Sequence, residues 1–178
     1  MEEKLSENFT LKELTYSDTA KAKGINNLPT EVHKKVLKHT CQFLLEPLRR
    51  LLNDKYKEYK GKRVKNVALK ITSGYRSVKL NTAVGGSSTS QHAKGEAVDC
   101  EATIVYIDGT RAVLPYTELY ENIKMWVRAK RISVDQCIQE RSGNAVWVHI
   151  SHSSWGASKD RKQFLKFNNG TYQIDSVQ

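Results

Sequence analysis

Ser90-Gln91-His92-Ala93-Lys94-Gly95-Glu96-Ala97-Val98-Asp99, running on to Val105, is the stretch from which the rest of the chain is read. A polar, glycine-containing loop passes there into a strand that spans Ala97 to Val105. Side chains alternate faces along a strand, so Ala97, Asp99 and Glu101 point one way and Val98, Cys100 and Ala102 the other. Asp99 therefore stands opposite the apolar face. A second stretch, Trp147-Val148-His149-Ile150-Ser151, has the same alternation: Trp147, His149 and Ser151 share one face, and Val148, Ile150 and His152 share its reverse. If the two strands are neighbours, His149 joins Asp99, and His152 is kept from the same centre unless the strand bulges. His92 comes from the loop before the first strand, where Gly85-Gly86 and Gly95 permit tight turns that bend its imidazole back toward Asp99.

Two imidazoles and one carboxylate are the ligand number that leaves a fourth tetrahedral position on zinc open for water. A structural zinc site would close with four protein ligands, usually including thiolates, and no cysteine pair here has finger-like spacing. Spacing alone leaves two readings open, a metal centre or histidines packed in a polar setting. For His33, His39 and His152 the expectation is an ordinary packed or surface residue.

The length of 178 residues suits one compact domain with a sizeable core. With 39% hydrophobic and 27% charged residues and no long apolar run, the composition excludes a disordered chain and a membrane-spanning one. Met1-Glu2-Glu3-Lys4-Leu5 does not read as a secretion signal, so the expectation is a cytoplasmic pool or release to the cell wall by another route, as in a phage or prophage lysis enzyme. Cys41, Cys100 and Cys137 are an odd number at irregular spacing and read as reduced and mostly buried. A net charge of +10 attracts polyanions of every kind, and charge by itself does not choose among nucleic acid, acidic wall polymers and anionic membrane. The basic residues are not interleaved with clustered aromatics as a base-stacking platform would need, so no nucleic-acid partner is expected. Oligomeric state has no signature in the sequence.

Apolar residues recur at helical spacing from Thr30 to about Tyr59, with Thr30 as N-cap and Pro47 as a kink or break. Before it, Phe9 to Asn27 reads as short helical turns, with Ser17-Asp18 capping Thr19 to Lys23 and Gly24 as a stop. Val67 to Thr72 alternates as a half-buried strand, and Asp108-Gly109 turns the Ala97 to Val105 strand into Arg111 to Leu114. Leu119, Ile123, Trp126 and Val127 mark a helix that ends in the basic cluster Arg128 to Arg131. Two hairpins follow, Val134 to Glu140 with Ala145 to Ser151, and Phe164 to Phe167 with Thr171 to Ile174. The fold class expected is α+β, with N-terminal helices packed on one side of a mainly antiparallel sheet. Within a single domain over 1–178, residues 1–60 form the helical part and 64–178 the sheet-bearing part.

In order along the chain, Phe9-Thr10-Leu11-Lys12-Glu13-Leu14, Ser17-Asp18, Gly24 to Pro29, Leu45-Glu46-Pro47-Leu48-Arg49, Thr72-Ser73-Gly74-Tyr75-Arg76-Ser77, Leu80-Asn81, Val84-Gly85-Gly86, Ser90-Gln91-His92 with Gly95, Ala97 and Asp99, Asp135-Gln136 with Glu140, and Trp147 to Ser151 form one pattern. The pattern resembles the zinc D-Ala-D-Ala carboxypeptidase and L-Ala-D-Glu endopeptidase family, which shares its fold with hedgehog signalling domains. The resemblance covers most of the chain and implies that His92, Asp99 and His149 bind one zinc ion. It implies that Arg76 grips a substrate carboxylate or carbonyl with its planar fork of donors, and that Ser90 supplies a supporting hydrogen bond.

Many relatives carry an acidic residue within a few positions before the last histidine, whereas Asn144, Ala145, Val146 and Trp147 fill that space here. Glu140, which matches the glutamate ending the preceding strand in one branch, is the candidate base. The implied activity is zinc-dependent hydrolysis of peptidoglycan stem peptides, as a carboxypeptidase or an endopeptidase; the net charge leaves an anionic wall polymer open as a further partner. The alternative is a zinc-containing binding module of the same fold that does not hydrolyse. Arg76 read instead as a surface ion pair, and Glu140 as an exposed strand-end carboxylate, are the plain counterparts of these roles.

Overall fold

A computed structural model describes residues 2–175. The N-terminal part is helical: α1 (Leu11–Thr15), α2 (Asp18–Ala22), α3 (Glu31–Thr40) and α4 (Glu46–Lys55). Hydroxyl caps start three of them, the Oγ atoms of Thr10, Ser17 and Thr30 accepting from the N–H groups of Glu13, Ala20 and His33. The break expected at Pro47 takes the form of a π-helical turn, Cys41–Leu45, between α3 and α4. The Glu46 N–H bonds Cys41 O, which widens the turn and leaves Pro47 in the first turn of α4, where a missing donor costs little.

The helix does not reach Tyr59. Lys60 and Gly61 both adopt positive φ, at 51° and 74°, and fold the chain into a hairpin of β1 (Glu58–Tyr59) with β2 (Lys62–Ser73). The sheet-bearing part thus begins at Glu58 rather than residue 64. Further elements are α5 (Val78–Ala83), a short helix that no apolar periodicity announced, then β3 (Ala97–Tyr106), β4 (Arg111–Leu114), α6 (Tyr116–Arg128), β5 (Gln136–Ser142), β6 (Ala145–Ser151), β7 (Gln163–Asn168) and β8 (Thr171–Ile174).

The class is α+β with a mixed sheet of order β1-β2-β3-β6-β5-β7-β8, β4 pairing on β3. Every pairing is antiparallel except β5 with β7, which run parallel because the long connection after β6 returns the chain in the direction of β5. Helices α3, α4 and α6 cover one face with Leu37, Leu44, Leu48, Leu52, Tyr120 and Ile123, packing on Val67, Val98, Cys100, Ala102, Val148 and Ile150. The opposite face of the central strands, which carries Asp99, is left for chemistry. Cys41, Cys100 and Cys137 are free and buried, as their spacing led one to expect. Among the described residues no helix is long and apolar enough to cross a membrane.

Thr40, at the end of α3, is buried and donates its hydroxyl to Gly95 O at 2.9 Å, tying the helical layer to the loop that carries His92. Thr40→Val keeps the shape but leaves that carbonyl unpaired, at a cost of about 1–3 kcal/mol. Thermal denaturation should show Tm lower by several degrees in Thr40→Val and near wild type in Thr40→Ser.

Candidate metal centre

Strands β3 and β6 are antiparallel neighbours with Asp99 directly opposite His149 and Ala97 opposite Ser151. Directly opposed residues project from the same face, so the carboxylate and the imidazole meet without any loop bringing them together. His92 arrives from a short 3-10 turn, Gln91–Lys94, that Gly95 ends in the left-handed region at φ 78°. A Cβ on Gly95 would lie 3.1 Å from Leu37 Cγ and 3.2 Å from His33 O, so both conformation and space favour glycine.

The three side chains converge and are buried, at 4% exposure for His92, 7% for Asp99 and 8% for His149. His92 Nε2 lies 3.1 Å from His149 Nδ1 and 3.3 Å from Asp99 Oδ1, and His149 Nδ1 lies 3.0 Å from the same oxygen. Ligand atoms at the corners of a tetrahedron with zinc bonds of about 2.0–2.1 Å are separated by about 3.3–3.4 Å, so the triangle is nearly the face such an ion needs. The protonation pattern agrees. His92 Nδ1 lies 2.8 Å from Gly74 O, which can only accept, so that nitrogen carries a proton and Nε2 is the atom turned toward the other two groups. Two imidazole nitrogens and one carboxylate oxygen turned toward one point are a donor set that fits a divalent metal.

Burial on its own would raise the Asp99 carboxyl, but the imidazoles of His92 and His149 overcome it and hold it far below the usual carboxylate range. Asp99 Oδ2 accepts from Arg76 Nη2 at 2.6 Å, and Arg76 Nε donates to Ser73 Oγ at 3.0 Å. The structure therefore places Arg76 on the metal-facing carboxylate, half-buried rather than in a surface ion pair, with Nη1 making no intramolecular hydrogen bond among the described residues. Ser90 precedes the His92 turn at the capping position, makes no capping bond with its side chain, and lines the cleft.

Glu140 sits on β5 directly opposite Trp147, while Ile138 faces His149. Its side chain is thus diagonal to His149 on the same face, two positions along, and it lines the cleft with the triad. Burial pushes its carboxyl up to about 7, with His149 drawing it down, Asp99 pushing it up and Arg76 drawing it down. The cleft, of about 920 Å³, runs along the sheet between the α2 and α5 region and the strands β5 to β8.

The other histidines lie elsewhere. His33 Nδ1 meets Tyr75 Oη at 3.1 Å, and His39 stacks on His152, whose Nδ1 pairs with buried Asp160 at 2.7 Å. Sequence reasoning assigned nothing to Gly74, whose carbonyl orients His92, or to Asp135. The Asp135 carboxylate, buried, accepts from Gln91 Nε2 at 3.0 Å and from Arg161 Nη2 at 2.6 Å, tying the His92 turn to the loop after β6. Asp135-Gln136 stood in the sequence pattern without a role, and Arg161, 26 positions on, gave no sign.

Two imidazoles and a carboxylate presented by a mixed sheet beside an open cleft form a site that could hold a divalent metal. The family model described as Peptidase M15 matches residues 7–107, and the chain belongs to that family, whose members are metal-dependent peptidases, typically of zinc. No curated protein matches the chain. The matched span includes Arg76, His92 and Asp99 and stops before Glu140 and His149, which the sheet pairing brings to the same face.

A Cβ on Gly74 would lie 2.2 Å from Leu14 O, a backbone atom, so Gly74→Ala must displace the carbonyl that orients His92. Zinc titration against a competing chelator should give one tight site per chain in the wild type, an affinity lower by about 10–100-fold in Gly74→Ala, and no stoichiometric retention in His149→Ala.

Proposed function

We propose that this protein is a zinc peptidase that hydrolyses peptide bonds in the stem peptides of bacterial peptidoglycan, built as one domain of the hedgehog/DD-peptidase fold. The observation that carries the reading is a single sheet face on which the His92, Asp99 and His149 ligand atoms lie within 3.3 Å of one another and Glu140 stands diagonal to His149. The open cleft is roomy enough for a peptide.

A zinc ion held by His92, Asp99 and His149 supplies a Lewis acid for the scissile carbonyl and a water of lowered pKa, about 7. Asp99 is held ionised, far below the usual carboxylate range, and Gly74 O keeps a His92 proton on Nδ1, so that Asp99 and His92 are both turned to the centre ready to hold the ion. Glu140 accepts the proton of the attacking water and returns it to the leaving amine, a role suited to a carboxyl whose affinity for protons is near neutrality. Arg76 holds the Asp99 carboxylate with Nη2 and turns Nη1 to the peptide carbonyl or carboxylate. Ser90 Oγ lends a hydrogen bond to the bound peptide.

The competing reading, a zinc-containing module that binds without hydrolysis, draws on the lack of an acidic residue among Asn144 to Trp147. Glu140 weakens it, since the residue opposite Trp147 across the hairpin reaches the same face as one two positions before His149. Incubation of the zinc-loaded protein with purified peptidoglycan, followed by mass spectrometry of released fragments, decides between the two. New peptide termini support hydrolysis, and their absence supports binding.

Glu140→Gln should retain zinc and lose about 10²–10⁴-fold in the rate of wall hydrolysis. Because burial raises the Glu140 pKa from 4.5 to about 7 in the folded protein, folding favours its protonated form, and that advantage is complete below about pH 4.5 and lost as pH rises through about 7. In metal-free protein at pH 8, Glu140→Gln should therefore melt higher than wild type, by roughly 2–4 °C for each kcal/mol recovered. The gap should close below pH 4.5.

A further inference from the structure

Residues 55–65 carry six cations, Lys55, Lys57, Lys60, Lys62, Arg63 and Lys65, against one carboxylate, Glu58, which places half of the net charge of +10 on eleven residues. All six cations are exposed. They form the last turn of α4 and the β1–β2 hairpin, at the edge of the sheet and well away from the metal centre. At about 3.3 Å per residue, the eleven steps along β2 from Lys62 to Ser73, which pairs with Asp99, put the hairpin roughly 35 Å along the strand from the triad.

Three of the six cations are held against aromatic rings. Lys55 lies over the Tyr56 ring, Lys60 over Tyr59 and Lys62 over Tyr106, at 5.8, 5.4 and 5.4 Å from the ring centroids. The tyrosines are fixed from beneath, the hydroxyls of Tyr56 and Tyr59 both donating to Glu118 at 2.8 and 3.2 Å. Two acids offset the charge in part, Asp108 pairing with Lys62 at 3.2 Å and Glu118 under the tyrosines. Tyr56 is buried and Tyr59 half-buried, so neither ring offers a free face on which a nucleic acid base could stack.

We infer that the β1–β2 hairpin docks an anionic phosphodiester polymer of the cell wall, holding the enzyme on its insoluble substrate while the cleft works at the other end of β2. The inference rests on the peptidoglycan reading above. Fixed cations with no base-stacking face read a backbone of repeated phosphates by charge, and neutralising them releases counterions, so binding weakens steeply with salt.

The test uses the full-length protein and two wall preparations, one native and one stripped of its phosphodiester polymer by acid. Binding is read by sedimentation with wall, separately from hydrolysis of a soluble stem peptide. The variant neutralises Lys57→Gln, Lys60→Asn, Lys62→Gln and Arg63→Gln together, with asparagine at 60 because that residue holds φ 51°. A control variant neutralises Lys21, Lys23, Lys35 and Lys38, exposed lysines of the helical part.

Wild type and control should sediment with native wall, release in high salt and bind stripped wall at least tenfold more weakly. The hairpin variant should lose tenfold or more on native wall while cleaving the soluble peptide at the wild-type rate. Equal binding of the hairpin variant, indifference of the wild type to stripping, or tighter binding to duplex DNA than to native wall would each overturn the proposal. Binding as expected with no peptide cleaved would instead count against the hydrolytic reading alone.

Discussion

The pairing of β3 with β6 in one particular register is the constraint on which the site depends. Asp99 and His149 meet because they are directly opposed, and a slip of one residue would carry His149 to the helix-covered face and bring Val148 to the cleft. The register is set from the other side of the sheet. Val98, Cys100, Val148 and Ile150 are fully buried against the helices, and such a slip of β6 would expose Val148 and Ile150 while burying the His149 imidazole among leucines. At about 1.5–3 kcal/mol for each large apolar side chain, the core outweighs any local preference of the site residues. Packing on one face therefore holds chemistry on the other.

The third ligand is fixed by different means, since a loop has no register. His92 Nδ1 is bonded to Gly74 O, the His92 carbonyl accepts from Arg76 N–H at 3.2 Å, and the following Gly95 carbonyl accepts from Thr40. Gln91 is held by Asp135. These contacts reach back to the end of β2, to α3 and to the segment before β5, so the turn is fastened to three parts of the fold. Most of the fastenings end on backbone carbonyls, which explains why they are robust and why residue identity alone says little about them.

That difference decides what the sequence could disclose. Alternation along Ala97 to Val105 and Trp147 to Ser151 is a two-residue period written in side-chain polarity, and it was enough to put Asp99 and His149 on one face and His152 on the other. The helices were legible for the same reason, through apolar spacing and hydroxyl caps such as Thr30. The end of the long helix at Lys55 was not, because Lys60 and Gly61 turn the chain through positive φ and a lysine does not advertise that conformation. Helix α5 escaped because six residues are too short to show a period, and the parallel pairing of β5 with β7 because the returning segment carries only a 3-10 turn, Ala157–Lys159, and no α-helix. Arg76 was read as reaching outward; its engagement of Asp99 depends on where Ser73 leaves the end of β2.

Two carboxyl groups on this face have opposite fates, and the contrast is consistent with the roles proposed for them. Burial disfavours ionisation in both, but Asp99 has two imidazoles within 3.3 Å and remains charged, whereas Glu140 stands one diagonal step further out and burial prevails. A metal ligand must keep its lone pair free of protons, and a base must give up a proton as readily as it takes one near neutral pH. The sheet holds the two carboxyl groups apart, since β6 lies between β3 and β5, although Asp99 still pushes the Glu140 carboxyl upward. A dication between the imidazoles would draw the Glu140 carboxyl downward from about 7, so under the proposed mechanism the metal and the Glu140 carboxyl would be coupled through space across β6.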